Sequence, residues 1–151
     1  MRIRLQQLNP IIGDLTGNQE LILSAIREAE DDGIELLLLP ELVTCGYPPM
    51  DLMERRVFRE LLYKMNREII EFTGETTVIF GSITENLTGE GRSCYNSAIV
   101  AQHGEDMTRV HKALLPTYDV FDDLRYFEPG NEFEPVIIKG FPFGITVCED
   151  I

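Results

Sequence analysis

Leu36-Leu37-Leu38-Leu39-Pro40-Glu41 is a short apolar run closed by a proline and a carboxylate. Apolar runs of this length without alternation read as strands covered on both faces, as in parallel or mixed sheets flanked by helices. Upstream, Leu21, Ile22, Ala25, Ile26 and Ala29 recur at helical spacing, while Arg27, Glu28 and Glu30 face elsewhere. Asn18 is the expected N-cap of that helix, with Glu20 in its first turn, and Gly33 closes it. Before the helix, Ile3 and Leu5 alternate with polar residues and predict a first strand.

Downstream, Gly46-Tyr47-Pro48-Pro49 is loop, because neither proline fits a helix interior or a central strand. Val57, Phe58, Leu61, Leu62, Met65, Ile69 and Phe72 predict one apolar face of a second helix, which Gly74 ends. Residues 78–83 follow as a strand. Residues 93–102 and 106–111 read as two strands joined tightly at His103-Gly104-Glu105. Residues 115–130 read as an ordered loop, and residues 136–138 and 145–147 as two closing strands separated by Gly140 and Pro142. The order of elements predicts an α/β fold, a mixed sheet with helices on one face.

The composition excludes several partners. Thirteen Lys and Arg stand against 26 Asp and Glu, a formal charge of −13. Nucleic acid and anionic membranes require clustered positive charge, so neither is an expected partner. The longest strongly apolar run, 36–40, is far too short to span a bilayer. Cys45, Cys94 and Cys148 are odd in number and far apart, which fits neither a disulfide framework nor a zinc site, and no metal is expected. Met1-Arg2-Ile3-Arg4-Leu5 carries no apolar leader core. A reducing cytoplasm is the expected compartment.

Three polar residues follow expected strands: Glu41, Lys112 and Cys148. In α/β sheets, positions just beyond the carboxyl ends of strands line the ligand crevice. A carboxylate, an ammonium and a thiol suit acyl transfer: the thiolate attacks, the carboxylate takes its proton, and the cation stabilises the oxyanion. Each residue also has an ordinary reading: a solvated glutamate, a surface lysine, a small buried thiol. Periodicity alone leaves both open. His103 and His111 make no cluster.

Three sequence blocks go further. They are Pro40-Glu41-Leu42 with Cys45-Gly46-Tyr47-Pro48-Pro49; His111-Lys112-Ala113-Leu114-Leu115-Pro116; and Val147-Cys148-Glu149-Asp150. In order and spacing they resemble the signature blocks of the nitrilase, or carbon–nitrogen hydrolase, superfamily. Gly46-Tyr47-Pro48-Pro49-Met50-Asp51-Leu52 and the segment from Tyr118-Asp119-Val120-Phe121-Asp122-Asp123 to Gly130 resemble one branch, the N-terminal glutaminase domain of glutamine-dependent NAD synthetases. Cys148-Glu149-Asp150-Ile151 resembles its Cys-Glu-Asp-(Ile/Leu) ending.

The resemblance implies a nitrilase-type αββα sandwich, of which residues 1–151 would be the first part, incomplete at the C-terminus. It implies Glu41 as general base, Lys112 as the residue that stabilises the tetrahedral species, and Cys148 as nucleophile on the side-chain amide of glutamine. Tyr47, Tyr118, Phe121 and Glu149 would shape the glutamine pocket. Asp123 stands where that branch usually has Glu, one methylene longer, and is a candidate second carboxylate. The ammonia released would amidate deamido-NAD in a synthetase domain of the same full-length chain, which uses ATP and Mg; nothing like Ser-Gly-Gly-x-Asp-Ser occurs here. No cofactor is expected in the glutaminase part itself, and a homo-oligomer is. These residues alone are expected to be inactive, and either poorly stable or assembled with another copy. Two rivals stand beside this reading: a free-standing hydrolase of another small amide or nitrile, and a noncatalytic interaction module.

Overall fold

β1 (Ile3–Leu5), β2 (Leu36–Leu38), β3 (Thr77–Glu85), β4 (Cys94–Gln102) and β5 (Glu105–His111) form one sheet in sequence order. The computed structural model describes residues 1–118 and 121–151; Asp119 and Val120 of the 118–130 motif lie outside the described residues. β1, β2 and β3 run parallel, joined by crossovers through α1 (Leu15–Asp31) and α2 (Arg56–Glu71). β4 and β5 are antiparallel additions. Two reversals return β5 to the direction of β2 and β3, so all three strands end at the same edge of the sheet. The mixed sheet of an α/β fold is as the sequence predicts.

Neighbouring residues of β2 enter different cores. Leu37 joins Val78, Phe80 and Ile99 beneath Ile22 and Ile26 of α1 and Leu62 and Ile69 of α2. Leu36 joins Ile79, Ala98 and Val100 on the opposite face, under Ile138 and Val147. This alternation is what an unbroken apolar strand is for. Leu38, the last residue of β2, stays 38% exposed.

Several expectations shift in detail. The N-cap of α1 is Asp14, whose carboxylate accepts from Gly17 N at 3.0 Å. Asn18 lies inside the helix and is buried. Its Nδ2 donates to Ile11 O and Thr44 O, and its Oδ1 accepts from Ile11 N. It ties the helix to two loops instead of capping it. Gly33 does close the helix, with φ of +63°, in a Schellman arrangement: Ile34 N donates to Ala29 O and Gly33 N to Glu30 O.

The buried face of α2 is rotated from the expected one. Leu62, Met65, Asn66, Ile69 and Ile70 are buried, while Val57 and Leu61 are exposed. Asn66 can lie on this buried face because it is satisfied inside: Ser82 Oγ donates to its Oδ1 at 2.6 Å, and its Nδ2 donates to Ile83 O at 2.9 Å. Thr44 Oγ1 donates in turn to Ser82 Oγ at 2.8 Å. A polar thread thus runs from α2 through β3 to the loop after β2.

The β4–β5 turn is the expected one, with positive φ at His103 (54°) and Gly104 (76°) as a two-residue hairpin requires. A second such turn at Lys139 (50°) and Gly140 (82°) corrects the reading of the last strand. It folds β7 (Phe141–Phe143) back on β6 (Val136–Ile138), with Pro142 opposite Ile137. A proline fits such an edge. Residues 145–147 are therefore not a strand; Ile145 and Val147 pack against the second core without a ladder.

β3 passes so close to the start of the loop after β2 that position 81 admits no side chain. A Cβ on Gly81 would lie 2.5 Å from Glu41 Cα and from Pro40 O, and against Leu42 N. All three are backbone or near-backbone atoms that cannot swing aside. Gly81→Ala is expected to destabilise the protein by about 1–3 kcal/mol through overpacking, read from urea unfolding of the natural full-length protein. An unchanged midpoint would show that the loop after β2 yields freely.

Candidate active site

Glu41 directly follows the last residues of the extended run to bond β3: Leu39 N donates to Ile79 O at 2.8 Å, and Pro40 O accepts from Gly81 N at 3.1 Å. The chain then turns: Leu42 has φ of +47°, and Cys45 N and Gly46 N both return to Leu42 O. A leucine in the left-handed region costs of order 1–3 kcal/mol and holds only where its surroundings enforce it. Leu42 is fully buried, and the Thr44–Ser82–Asn66 thread anchors the turn from below.

Lys112 follows β5 directly. Its backbone N donates to Asn96 O at 2.8 Å, and its carbonyl accepts from Gly130 N at 2.8 Å. Its side chain is 1% exposed, and Nζ lies 2.8 Å from Glu41 Oε1 and 2.9 Å from Asp123 Oδ2. Asp123 opens α3 (Asp123–Tyr126), a single turn inside the stretch expected to be loop. Burial alone would push the Lys112 ammonium down; its bonds to Glu41 and Asp123 outweigh that and hold it above its ordinary value. The stabilisation this carries is present at neutral pH and is lost only as pH rises through the raised value.

Cys148 lines a cavity with Glu41, Ser97 and Ala98. It opens a short 3-10 turn, Cys148–Asp150, and has φ of +50°. The thiol is exposed, whereas Cys45 and Cys94 are buried and pushed up to about 12 and about 11. Cys148 is also raised, first by partial burial and next by the charge of Glu41, with Lys112 opposing. The resting group at neutral pH is therefore a thiol, and an attack by it needs a neighbouring proton acceptor.

The remaining predicted residues gather around this cluster. Tyr47 donates to Asp123 Oδ1 at 3.1 Å, and its ring lies 5.9 Å from Lys112 Nζ. Burial and then the Asp123 charge raise its phenol. Phe121 sits between Tyr47 and Tyr118, with ring centroids 6.0 and 5.6 Å away. Tyr118 donates to Glu149 Oε1 at 2.9 Å.

Two residues that the sequence reading did not single out hold the parts together. Asn96, fully buried on β4, donates from Nδ2 to Glu41 Oε1 at 2.7 Å. Asp150 Oδ1 accepts from Ala113 N at 3.0 Å and Leu114 N at 2.8 Å, and its Oδ2 accepts from Val147 N at 3.1 Å. Asp150 thereby clamps the segment after Lys112 to the residue before Cys148. The one sequence signal for Asn96 was a strongly polar residue in a strand otherwise suited to burial. Asp150 belongs to the Cys148-Glu149-Asp150 block, which gave it a place in the motif but no role.

Fold and geometry agree with the comparisons. The chain belongs to the carbon–nitrogen hydrolase family, whose sequence profile matches residues 2–151. It is 41% identical over 153 residues to the glutamine-dependent NAD(+) synthetase of Thermotoga maritima, covering 100% of this chain and 26% of that protein. The solved glutamine-dependent NAD+ synthetase of Acinetobacter baumannii superposes with a TM-score of 0.90 at 30% identity, over 98% of this chain and 27% of that one. An amidase from Nesterenkonia sp. superposes with a TM-score of 0.73 at 25% identity, over 99% and 56% of the two chains. The chain thus spans about a quarter of the length of the curated relatives it matches. No described helix is long and apolar enough to cross a membrane.

The opposed charges around Cys148 make a signed prediction. In Glu41→Gln the pH midpoint of Cys148 alkylation by iodoacetamide, read by mass on its tryptic peptide, moves down. In Lys112→Met it moves up, and folding loses about 3–5 kcal/mol because two carboxylates are left facing each other without their cation. Shifts of the opposite sign would place the thiol outside the field of these groups.

Proposed function

We propose that residues 1–151 belong to a nitrilase-type glutaminase domain that supplies ammonia to a glutamine-dependent NAD synthetase. One observation carries the reading: the Lys112 ammonium, held by Glu41 at 2.8 Å, lies among residues that also include an exposed Cys148 in the same cavity as Glu41. The family match supports the chemistry. The matched synthetases support the substrate, as do Tyr47, Phe121 and Tyr118 around the cluster.

In this mechanism Cys148 Sγ attacks the side-chain amide carbon of glutamine as Glu41 takes the thiol proton. Lys112 Nζ lies beside the oxyanion that forms and offsets its charge. The carbon–nitrogen bond breaks, Glu41 returns its proton to the leaving nitrogen, and ammonia departs from a glutamyl thioester. Water then attacks the thioester with Glu41 again as base, releasing glutamate and restoring the thiol. Asp123, bonded to Lys112 and Tyr47, serves as a second carboxylate that keeps the ammonium charged and aimed. Glu149, bonded to Tyr118, shapes the pocket mouth.

The chemistry of these residues calls for no cofactor. The amidation of deamido-NAD, with ATP and Mg, falls to a synthetase domain of the same full-length chain, which would work as a homo-oligomer. Three unpaired cysteines fit a cytoplasmic setting.

The natural full-length protein is expected to release ammonia from glutamine in preference to simple amides, and Cys148→Ala to lower kcat/KM about a thousandfold or more. Its intact mass is expected to exceed 17.2 kDa by several hundred residues. Equal turnover of simple amides would favour the free-standing hydrolase. Full biological function in Cys148→Ala would favour the interaction module.

A further inference from the structure

We propose that Asn96 is a positioning residue that decides which oxygen of the Glu41 carboxylate is free to accept a proton. The proposal rests on the reading of Glu41 as the base for Cys148. Asn96 Nδ2 and Lys112 Nζ both donate to the same atom, Glu41 Oε1, at 2.7 and 2.8 Å. Neither Asn96 nor Lys112 bonds Oε2, and the Cys148 thiol pairs with the same carboxyl group. An oxygen that already takes an amide and an ammonium proton has little basicity left, so the unbonded oxygen is the one that works. Pinning Oε1 from two sides also stops the carboxylate from rotating and exchanging its oxygens.

The orientation of the amide is not arbitrary. A carboxylate offers only acceptors, so the nitrogen of Asn96 must face it. Its Oδ1 is buried without a partner among the described residues. An apolar side chain would suit a fully buried strand position better on stability grounds alone. What asparagine supplies here is the bond to Glu41. The same residue also fixes the lysine, since Asn96 O accepts from Lys112 N at 2.8 Å. One buried residue of β4 thereby sets the base by its side chain and the cation by its backbone.

The charged and titratable groups that face Glu41 are Lys112 at the end of β5, Asp123 behind it, Cys148 across the cavity, and Tyr47 from the loop after β2. None of these replaces the Asn96 donor. Without it, the charged form of Glu41 loses one of the two hydrogen bonds that favour it over the protonated form.

The test uses the natural full-length protein with Asn96→Leu, close in size, and Asn96→Asp, close in shape. Both are expected to lower kcat at least about tenfold, to leave KM for glutamine within about threefold, and to move the acid limb of kcat/KM to higher pH. Asn96→Asp moves it further, because it sets a second carboxylate against the first. Unchanged kcat, or a fall in kcat with an unmoved acid limb, overturns the proposal. If Asn96→Leu does not fold, the decision passes to Asn96→Asp on the same criteria. If the wild-type protein hydrolyses no amide, the glutaminase reading itself has failed. Asn96 is then judged by the alkylation rate of Cys148 across pH, which the charge on Glu41 governs without any substrate. A profile in Asn96→Asp identical to wild type overturns it.

Discussion

A lysine ammonium with 1% of its side chain exposed is the constraint from which the rest of the site follows. Removing an ammonium from water costs several kcal/mol unless opposite charge and hydrogen bonds replace the solvent. Two carboxylates do so, and they come from far apart in sequence: Glu41 after β2 and Asp123 at the start of α3. Lys112 therefore joins the parallel half of the sheet to the segment that wraps over its antiparallel half. The close approach at Gly81 and the buried thread from Thr44 to Asn66 hold the Glu41 side of that junction at the required distance.

Cys148 is held by a different device. It has no strand ladder, as residues 145–147 pack through Ile145 and Val147 alone. Its position comes from Asp150, whose two oxygens bond the backbone on both sides of the site. Glu41 and Lys112 are thus mounted on the sheet, and Cys148 is suspended from the segment that carries Lys112. Left-handed residues occur on both sides, Leu42 beside Glu41 and Cys148 itself. Strain of that kind persists where function gains from a fixed direction of approach.

What the sequence disclosed followed from periodicity. The four-leucine run, the α1 stripe, the Gly33 terminus and the His103-Gly104 turn were legible because local chemistry decides them. The misreadings came where tertiary contacts outrank local preference. Asn18 resembles a cap but is held inside by Ile11 and Thr44. Asn66 sits on the buried face of α2 because its partners lie on β3. Lys139 and Gly140 moved the last strand forward, a hairpin turn that the nearby proline obscured. Glu41, Lys112 and Cys148 were legible only as parts of recurring blocks. Asn96 stayed hidden, and Asp150 was visible only as a motif letter, because their significance lies in what they touch.

The protonated state of Cys148 bears on the durability of the protein. Peroxides oxidise thiolates far faster than thiols, and exposure ordinarily makes a cysteine vulnerable. Cys148 is exposed, yet burial of its lower side and the charge of Glu41 keep its proton on at rest. In the proposed mechanism the carboxylate that takes this proton during attack also deters ionisation between turnovers. A thiol open to solvent is in this way kept in its least oxidisable form, which the proposed mechanism would relieve only when an amide carbonyl arrives.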